Sequence, residues 1–341
     1  MDLLTSTKCK RWLREHGMTE AVRAVRELPG GVSNAVFLVE FAEHPPIVVK
    51  QSRKRLRTQR LWISQLERIH READVLKFLH SILPSGVVPE VLIEDRKQFA
   101  IAMRAAGQHS VWKTDILGGE VRTSVAIDSG RALGSIHGLT REHPKLAQRW
   151  ADQTVFEELR LTPFYESIIE AHPHIDRPIR QLIEQSRIIR ETLVLGDFSP
   201  KNLLVTSDGL TLVDFETSHF GDPSFDLGFF LSHLFLKRIF HHAKSSHTAE
   251  AIAQSGVRFL EAYRQVFAGH AGETECEAVM GRARMHFAAC MLSRIDGVSP
   301  VDYLDEQGQS IARVTALAWI VDPPEHLLLQ WKGEFRSGTD R

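Results

Sequence analysis

The apolar positions of this chain fall into two textures, short β-rich runs up to residue 104 and helical stripes beyond it. Val22, Val25 and Leu28 mark a first strand, residues 35–41 a second and Ile47-Val48-Val49-Lys50 a third, with Pro29-Gly30-Gly31-Val32-Ser33-Asn34 as a tight bend between the first two. A short helix is expected within residues 1–20. Residues 64–79 change to helical period, placing Leu66, Ile69, Ala73, Leu76 and Leu79 on one face. Strand texture returns over 87–93 and 99–103, and Arg104-Ala105-Ala106-Gly107 marks a crossover. The pattern predicts an α+β chain: a small antiparallel-sheet part over residues 1–104 and a mainly helical part over 105–341.

In the second part, Val121, Val125, Ala132, Leu133 and Ile136 keep a helical stripe that ends near His137-Gly138, a histidine best read as packed or capping. Residues 156–190 are helical again with a break at 173–178. One stretch interrupts this texture. Residues 203–206 and 210–213 are β-rich, and Asp208-Gly209 between them can adopt the positive φ that a two-residue hairpin turn requires. Such a hairpin brings Asn202 and Asp214 to the same end, with Asp197 five residues before Asn202. Strict alternation would put Asn202 and Asp214 on opposite faces, so one must lie beyond the regular ladder, and Pro200 makes that the Asn202 side. Asp222-Pro223 then opens a helix through residue 236 that is apolar nearly all round and therefore buried. Asp226, in its first turn, is placed to accept backbone N–H bonds and brace the preceding loop. Residues 285–295 and 311–321 are also helical.

A carboxylate, a carboxamide five residues on and a second carboxylate across a hairpin form an oxygen-rich set suited to Mg²⁺ and phosphate chemistry. Singly, Gly-Asp and Asp-Gly are ordinary turn signals. In order they give D-x-x-x-x-N followed by D-F-x, the spacing of a kinase catalytic loop and its metal-binding aspartate. The bend at Gly30 and Gly31 can lay backbone N–H groups, with Ser33 and Asn34, against phosphate oxygens, although it lacks G-x-G-x-x-G spacing. Lys50 ends the third strand, within reach of the same phosphates. Glu72 falls on or beside the apolar stripe of the 64–79 helix, where a carboxylate is costly unless paired, and Lys50 is the expected partner. Met103 stands where a nucleotide base would slot between the two parts.

Composition narrows the class. At 341 residues, 43% hydrophobic and 25% charged, the chain can bury the cores of two folded parts. A net charge of −1 gives no global attraction to nucleic acid or an anionic membrane. The basic run at residues 53–60 has only Trp62 nearby as an aromatic, so no nucleic-acid partner is expected. Cys9, Cys276 and Cys290 form neither a disulfide framework nor a zinc motif, which fits a reducing cytosol. Residues 1–14 lack an apolar signal core, and residues 225–235, the richest apolar run, contain Asp226 and His233 and are too short to span a bilayer. A soluble, cytoplasmic protein is expected.

With Gly30-Gly31-x-Ser33-Asn34, Val49-Lys50, Arg71-Glu72, Leu133-Gly-Ser-Ile-His137, Gly196-Asp197-x4-Asn202, Asp214-Phe-Glu216 and Asp222-Pro-x-x-Asp226 in order, the chain resembles the aminoglycoside phosphotransferase and choline kinase-like superfamily over roughly residues 22–305. The resemblance implies a bilobal protein-kinase-like fold and transfer of the γ-phosphoryl group of ATP or GTP to a hydroxyl of a small metabolite or antibiotic. It also implies roles: Asp197 orients or deprotonates the acceptor hydroxyl, Asn202 and Asp214 hold Mg²⁺, and Lys50, paired with Glu72, holds the α and β phosphates. The family usually has a histidine two residues before the catalytic aspartate, where this chain has Leu195. Two readings stay open on that account, an active small-molecule kinase and a nucleotide-binding pseudokinase. A protein kinase is disfavoured because only seven residues separate Asp214 from Asp222, leaving no room for a long activation segment. The acceptor is not legible, although Glu158, Asp296, Asp302, Tyr165, Tyr263 and Trp319 would be available to a cationic one.

Overall fold

The structure, a computed structural model, describes residues 3–29, 33–57 and 62–333. The predicted bend residues Gly30 and Gly31, and part of the basic run, lie outside the described residues. The chain divides into two compact units, Met1–His109 with Thr211–Thr217, and Ser110–Leu210 with Ser218–Arg341. The Asp214-Phe215-Glu216 segment therefore belongs with the sheet.

In the first unit, α1 (Ser6–Glu15) is capped by the Thr5 hydroxyl, which accepts the Lys8 N–H at 3.3 Å. Strands β1 (Val22–Glu27), β2 (Asn34–Phe41), β3 (Ile47–Ser52), β4 (Val91–Asp95) and β5 (Ala100–Arg104) pair in the order β1-β2-β3-β5-β4, all antiparallel. Alternation along β2 and β3 turns Ala35, Phe37, Val39, Phe41, Ile47 and Val49 to one face, where α1 lays Cys9, Trp12 and Leu13 over them. The N-terminal helix is thus the cover of that face, pinned by the Trp12 indole N–H donating to Asp95 Oδ2 at 2.8 Å. Lys50, the next residue after Val49, faces the other way, toward α2 (Arg68–Ile82). Several boundaries differ from the sequence pattern. Strand β3 continues to Ser52, so Lys50, expected at its end, lies inside it, paired with Val36 and Ile101. Residues 87–90 stay out of the ladder because Pro89 has no N–H to give it, and the Val87 carbonyl accepts from Leu212 N at 2.7 Å instead. The helix begins at Arg68 rather than 64: Ile63 bridges to Arg55 and Ser64 N pairs with the Lys54 carbonyl at 3.2 Å, so this stretch runs beside residues 54–55.

The second unit begins with part of β6 (His109–Val111), followed by α3 (Trp112–Leu117), α4 (Thr123–Thr140), α5 (Pro144–Arg149) and α6 (Thr154–Phe156). Next come a π-helix over Glu157–Glu166, α7 (Ser167–Ala171) and α8 (Asp176–Ile188). The wide π turn coincides with Pro163, whose missing N–H breaks the usual ladder. Strand β7 (Thr192–Val194) pairs antiparallel with β10 (His219–Gly221), a contact no pattern announced because three-residue strands leave no alternation to read. Between them run β8 (Leu203–Thr206) and β9 (Gly209–Leu212), so the turn is Ser207-Asp208, one residue earlier than expected; Gly209 takes the positive φ, at 139°. Five helices complete the unit: α9 (Ser224–His242), α10 (Ser246–Ala271), α11 (Glu273–Asp296), α12 (Glu306–Val321) and α13 (Leu327–Lys332).

Helix α9 is the buried axis of the second unit, and it continues past residue 236 to His242. Its Phe225 and Phe229 stack on each other, Phe230 packs tilted on Phe259, and Phe235 meets Phe287 and Trp319 edge-on. Tyr165, Tyr263 and Trp319, which the sequence offered to a cationic acceptor, are buried in this core. Tyr165 Oη lies 2.6 Å from His286 Nδ1, and Tyr263 Oη 3.0 Å from His137 Nδ1. Helix α4 approaches α10 so closely at Gly130 that a Cβ there would run into the Phe259 carbonyl and Ala262. Gly130→Ala should therefore destabilise the protein by about 1–3 kcal/mol, as overpacking does, despite alanine's better helix propensity; urea denaturation measures it. Among the described residues no helix is long and apolar enough to cross a membrane, and the three cysteines are free and buried.

Candidate active site

In the first unit the predicted pair is formed and has a third member. Lys50 Nζ lies 2.9 Å from Glu72 Oε1, 2.7 Å from Glu72 Oε2 and 2.6 Å from Asp214 Oδ1. Glu216, two residues further on, accepts from Asn34 Nδ2 at 2.7 Å and from Arg68 Nε at 3.1 Å. Arg68 is fully buried and also donates to the carbonyls of Ser33, Arg53, Ser64 and Gln65, tying the end of the glycine bend to the start of α2. Asn34 is likewise buried, with its amide nitrogen given to Glu216 and to Ser33 Oγ. Asp214 itself has a φ of +72°, a left-handed conformation that a non-glycine residue adopts only under local constraint. Met103 is buried, level with Val48 of β3 and Val91 of β4.

Charge balance in this cluster is negative. Burial alone would lower the Lys50 pKa, but Asp214, Glu72 and Glu216 together hold it above its ordinary value, so the ammonium stays charged. The Glu72 carboxyl is pushed up by burial, with Lys50 opposing and Asp214 and Glu216 adding to the rise. Glu72, Asp214 and Glu216 each offer a carboxylate oxygen, all within 4.8 Å of one another. An all-oxygen donor set of excess negative charge fits a hard divalent cation such as Mg²⁺, Ca²⁺ or Mn²⁺.

The second unit holds the Asp197 loop. Leu195 N and Gly196 N donate to the two oxygens of Asp226 at 2.7 and 2.8 Å, and His137 Nε2 stands 3.3 Å from Asp226 Oδ2. Asp226 thus grips the loop's backbone from the first turn of α9, and Gly196 supplies the positive φ of 72° that the following turn needs. Asp197, 6% exposed, is fixed through both oxygens. Arg160 Nη2 is 2.7 Å from Oδ1, while Lys201 Nζ at 2.8 Å and Asn202 Nδ2 at 3.0 Å contact Oδ2. Asn202 also donates to the Asp197 carbonyl at 2.9 Å. Leu195 is buried, and Arg160, from the π-helix, spans the loop by also donating to the Gly196 carbonyl at 2.6 Å. The N-cap position of α9 is Pro223, one residue later than expected; Asp222 accepts Ser224 N at 3.0 Å and is clamped by Arg282.

Arg68, Arg160 and Lys201 carry no role in the sequence motifs, and Glu216 stands there only as the last residue of Asp214-Phe-Glu216. Arg68 stands four residues before Glu72, one helical turn away, and that spacing was the available signal for it. Arg160 carried no signal, because neither a π turn nor an arginine's burial is legible from spacing.

A buried Lys–Glu pair on an antiparallel sheet, together with a braced Asp-x-x-x-x-Asn loop in a helical unit, defines a protein-kinase-like fold built for phosphoryl transfer. The chain belongs to the phosphotransferase enzyme family, whose profile matches residues 24–267. It is a phosphotransferase with an alcohol group as acceptor, in the class of small-molecule kinases. Similar proteins include 4-hydroxytryptamine kinase of Psilocybe cyanescens, 27% identical over 267 residues, covering 69% of this chain and 74% of that protein. Methylthioribose kinase of Escherichia coli O45:K1 (strain S88 / ExPEC) is 25% identical over 240 residues, covering 62% of this chain and 57% of that protein. Solved structures with the same fold include an amicoumacin kinase in complex with AMP-PNP, Ca²⁺ and Ami (TM-score 0.56, 14% identity, 92% of this chain and 93% of that one). A choline kinase from Cryptosporidium parvum Iowa II gives a TM-score of 0.54 at 14% identity, over 86% of this chain and 88% of that one.

Proposed function

We propose that this protein transfers the γ-phosphoryl group of ATP or GTP to a hydroxyl of a small metabolite or antibiotic. The observation that carries the reading is Lys50, held between Glu72 and Asp214 at 2.6–2.9 Å with its charge maintained by three carboxylates. An ammonium so fixed is oriented to grip the α and β phosphates without paying reorganisation at the moment of reaction. Ser33 and Asn34, with Gly30 and Gly31, are the residues assigned to the phosphates, and Met103 the one assigned to the base. Asp214 and Asn202 are the residues that take the Mg²⁺, with Glu216 beside Asp214; when bound, the ion neutralises charge developing on the phosphate oxygens. Asp197 orients the acceptor hydroxyl, which suits a reaction that asks mainly for positioning.

The pseudokinase alternative rested on Leu195. What supports the active reading is that the loop is held by other means: Asp226 takes two of its backbone N–H groups, and Arg160 fixes both the Gly196 carbonyl and the Asp197 carboxylate. Free, buried cysteines are consistent with the reducing cytosol proposed as its compartment.

Nucleotide binding provides the test. Lys50→Ala and Glu72→Ala should each weaken ATP binding, and because the two side chains act as one unit the double mutant should fall short of the sum by about 0.5–3 kcal/mol. Calorimetric titration of the four proteins measures this, and simple additivity would disprove the coupling.

A further inference from the structure

We propose that the acceptor is an anion: a hydroxylated small molecule whose phosphate or carboxylate group sits in a basic pocket of the helical unit beside Asp197. This rests on the reading of Asp197 as the catalytic carboxylate. The pocket, of about 40 Å³, is lined by Lys113 from α3, Ser199 and Lys201 from the Asp197 loop, His233 and Lys237 from α9, and Arg294 from α11. Asp302, on the exposed rim, is the sole carboxylate in the lining.

Three features make this an anion site. Lys237 is 1% exposed, yet its ammonium donates only to the His233 carbonyl one turn back, at 2.9 Å, and rests 5.5 Å from the Tyr303 ring centre. Among the described residues no carboxylate lies within ion-pair distance of Lys113, Lys237 or Arg294, and Arg294 has a buried Nε with no partner, as has Ser199 Oγ. Burial, with Lys113 and Arg294 adding, drives the Lys237 pKa well down, and burial lowers Arg294 although Asp197 and Asp302 oppose it. A buried ammonium with no carboxylate beside it gives up its proton readily, and an incoming oxyanion supplies the counter-charge that keeps it protonated.

The pocket's place follows from Lys201. Its ammonium is 2.8 Å from Asp197 Oδ2, so the wall of the pocket and the catalytic carboxylate share a side chain. The volume decides what part of the acceptor enters. At roughly 10–15 Å³ per water, 40 Å³ accommodates about three waters, or one phosphate or carboxylate group, and not a whole sugar or amine. The remainder of the acceptor must lie outside it, with the reacting hydroxyl a few bonds from the anionic group. In the step itself that hydroxyl oxygen forms a bond to the γ-phosphorus, the bond from the γ-phosphorus to the β,γ-bridging oxygen breaks, the nucleoside diphosphate leaves with the electron pair, and the hydroxyl proton passes to Asp197 or solvent. Relatives whose names mention choline or hydroxytryptamine act on amines; a pocket of lysines and an arginine would repel them.

The test uses the full chain and two readouts. Inorganic phosphate and acetate are titrated without nucleotide, by calorimetry and by thermal melting, into wild type, Lys237→Met and Arg294→Gln. Phosphate or acetate should bind wild type and raise its melting temperature, with affinity about tenfold or more lower in each variant; which of the two binds tells phosphate from carboxylate. Lys237→Met replaces a buried charge with a chain of similar length, so it should fold and melt no lower than wild type. No binding, or binding that both variants leave unchanged, overturns the site. The second readout is nucleotide turnover with glucose, choline, glucose 6-phosphate and gluconate as probes. Transfer confined to anionic compounds, with KM raised about tenfold in Lys237→Met, upholds the proposal. Transfer to glucose or choline with KM insensitive to both variants overturns it while leaving the kinase reading intact. Anion binding without transfer to any of the four overturns it together with that reading.

Discussion

Asp214→Ala should abolish nucleotide turnover, by about 10²- to 10³-fold or more, as removal of a group that stabilises transition-state charge does, while the protein stays folded. Asp214 adds no core volume; its side chain is 24% exposed, and Lys50 keeps Glu72 when it is gone. The fold should lose little beyond the strain of an alanine at φ +72°, about 1 kcal/mol. A second readout is independent of activity: ATP should bind wild type more tightly with Mg²⁺ than without it, and Asp214→Ala should lose most of that difference. Wild-type-like turnover in the mutant would remove Asp214 from the metal site.

Asp197→Asn should leave nucleotide and Mg²⁺ binding nearly unchanged and lower kcat by about 10²- to 10⁴-fold, the range for a positioned general base. The substitution is close to isosteric, but it sets a neutral amide where Arg160, Lys201 and Asn202 all donate. Whichever way the amide turns, at least one donor faces its NH₂ group, so the orientation that now presents Asp197 to a hydroxyl is lost. Pre-steady-state measurement separates this from slowed product release: the defect should lie in the transfer step.

Those residues were legible because each breaks a local rule. Glu72 sits on an apolar stripe and so demands a cation, and Lys50, expected at a strand end, was the one at hand; the structure sets it inside β3 and adds Asp214 to the pair. Asp226 follows a helix-opening proline, which placed its carboxylate at the dipole end where it meets Leu195 and Gly196. The fold was equally open to reading where runs are long, as in β2, β3 and α9. Short strands were not, because β7 and β10 are stabilised by each other and not by their own pattern.

Buried charge is what the sequence hid. Arg68, Glu216 and Arg160 look like solvated residues until their partners are known, and those partners lie 148, 148 and 37 positions away, for Arg68 with Glu216 and Arg160 with Asp197. The basic pocket was hidden for a sharper reason. Lys113, Lys201, Lys237 and Arg294 come from separate elements, and Lys237 fell one residue past the expected end of the α9 helix. The further turn that the structure gives this helix carries that lysine into the core.

Transfer of a phosphoryl group to a hydroxyl is tested most directly by following the phosphorus. The purified protein is incubated with MgATP labelled with ¹⁸O in the γ-phosphoryl group and a panel of neutral, cationic and anionic hydroxyl compounds, and products are weighed by mass spectrometry. The account predicts one acceptor class carrying the labelled phosphoryl group in stoichiometry with ADP, and almost none of that product with Asp197→Asn. Equal labelled product from wild type and Asp197→Asn would contradict it.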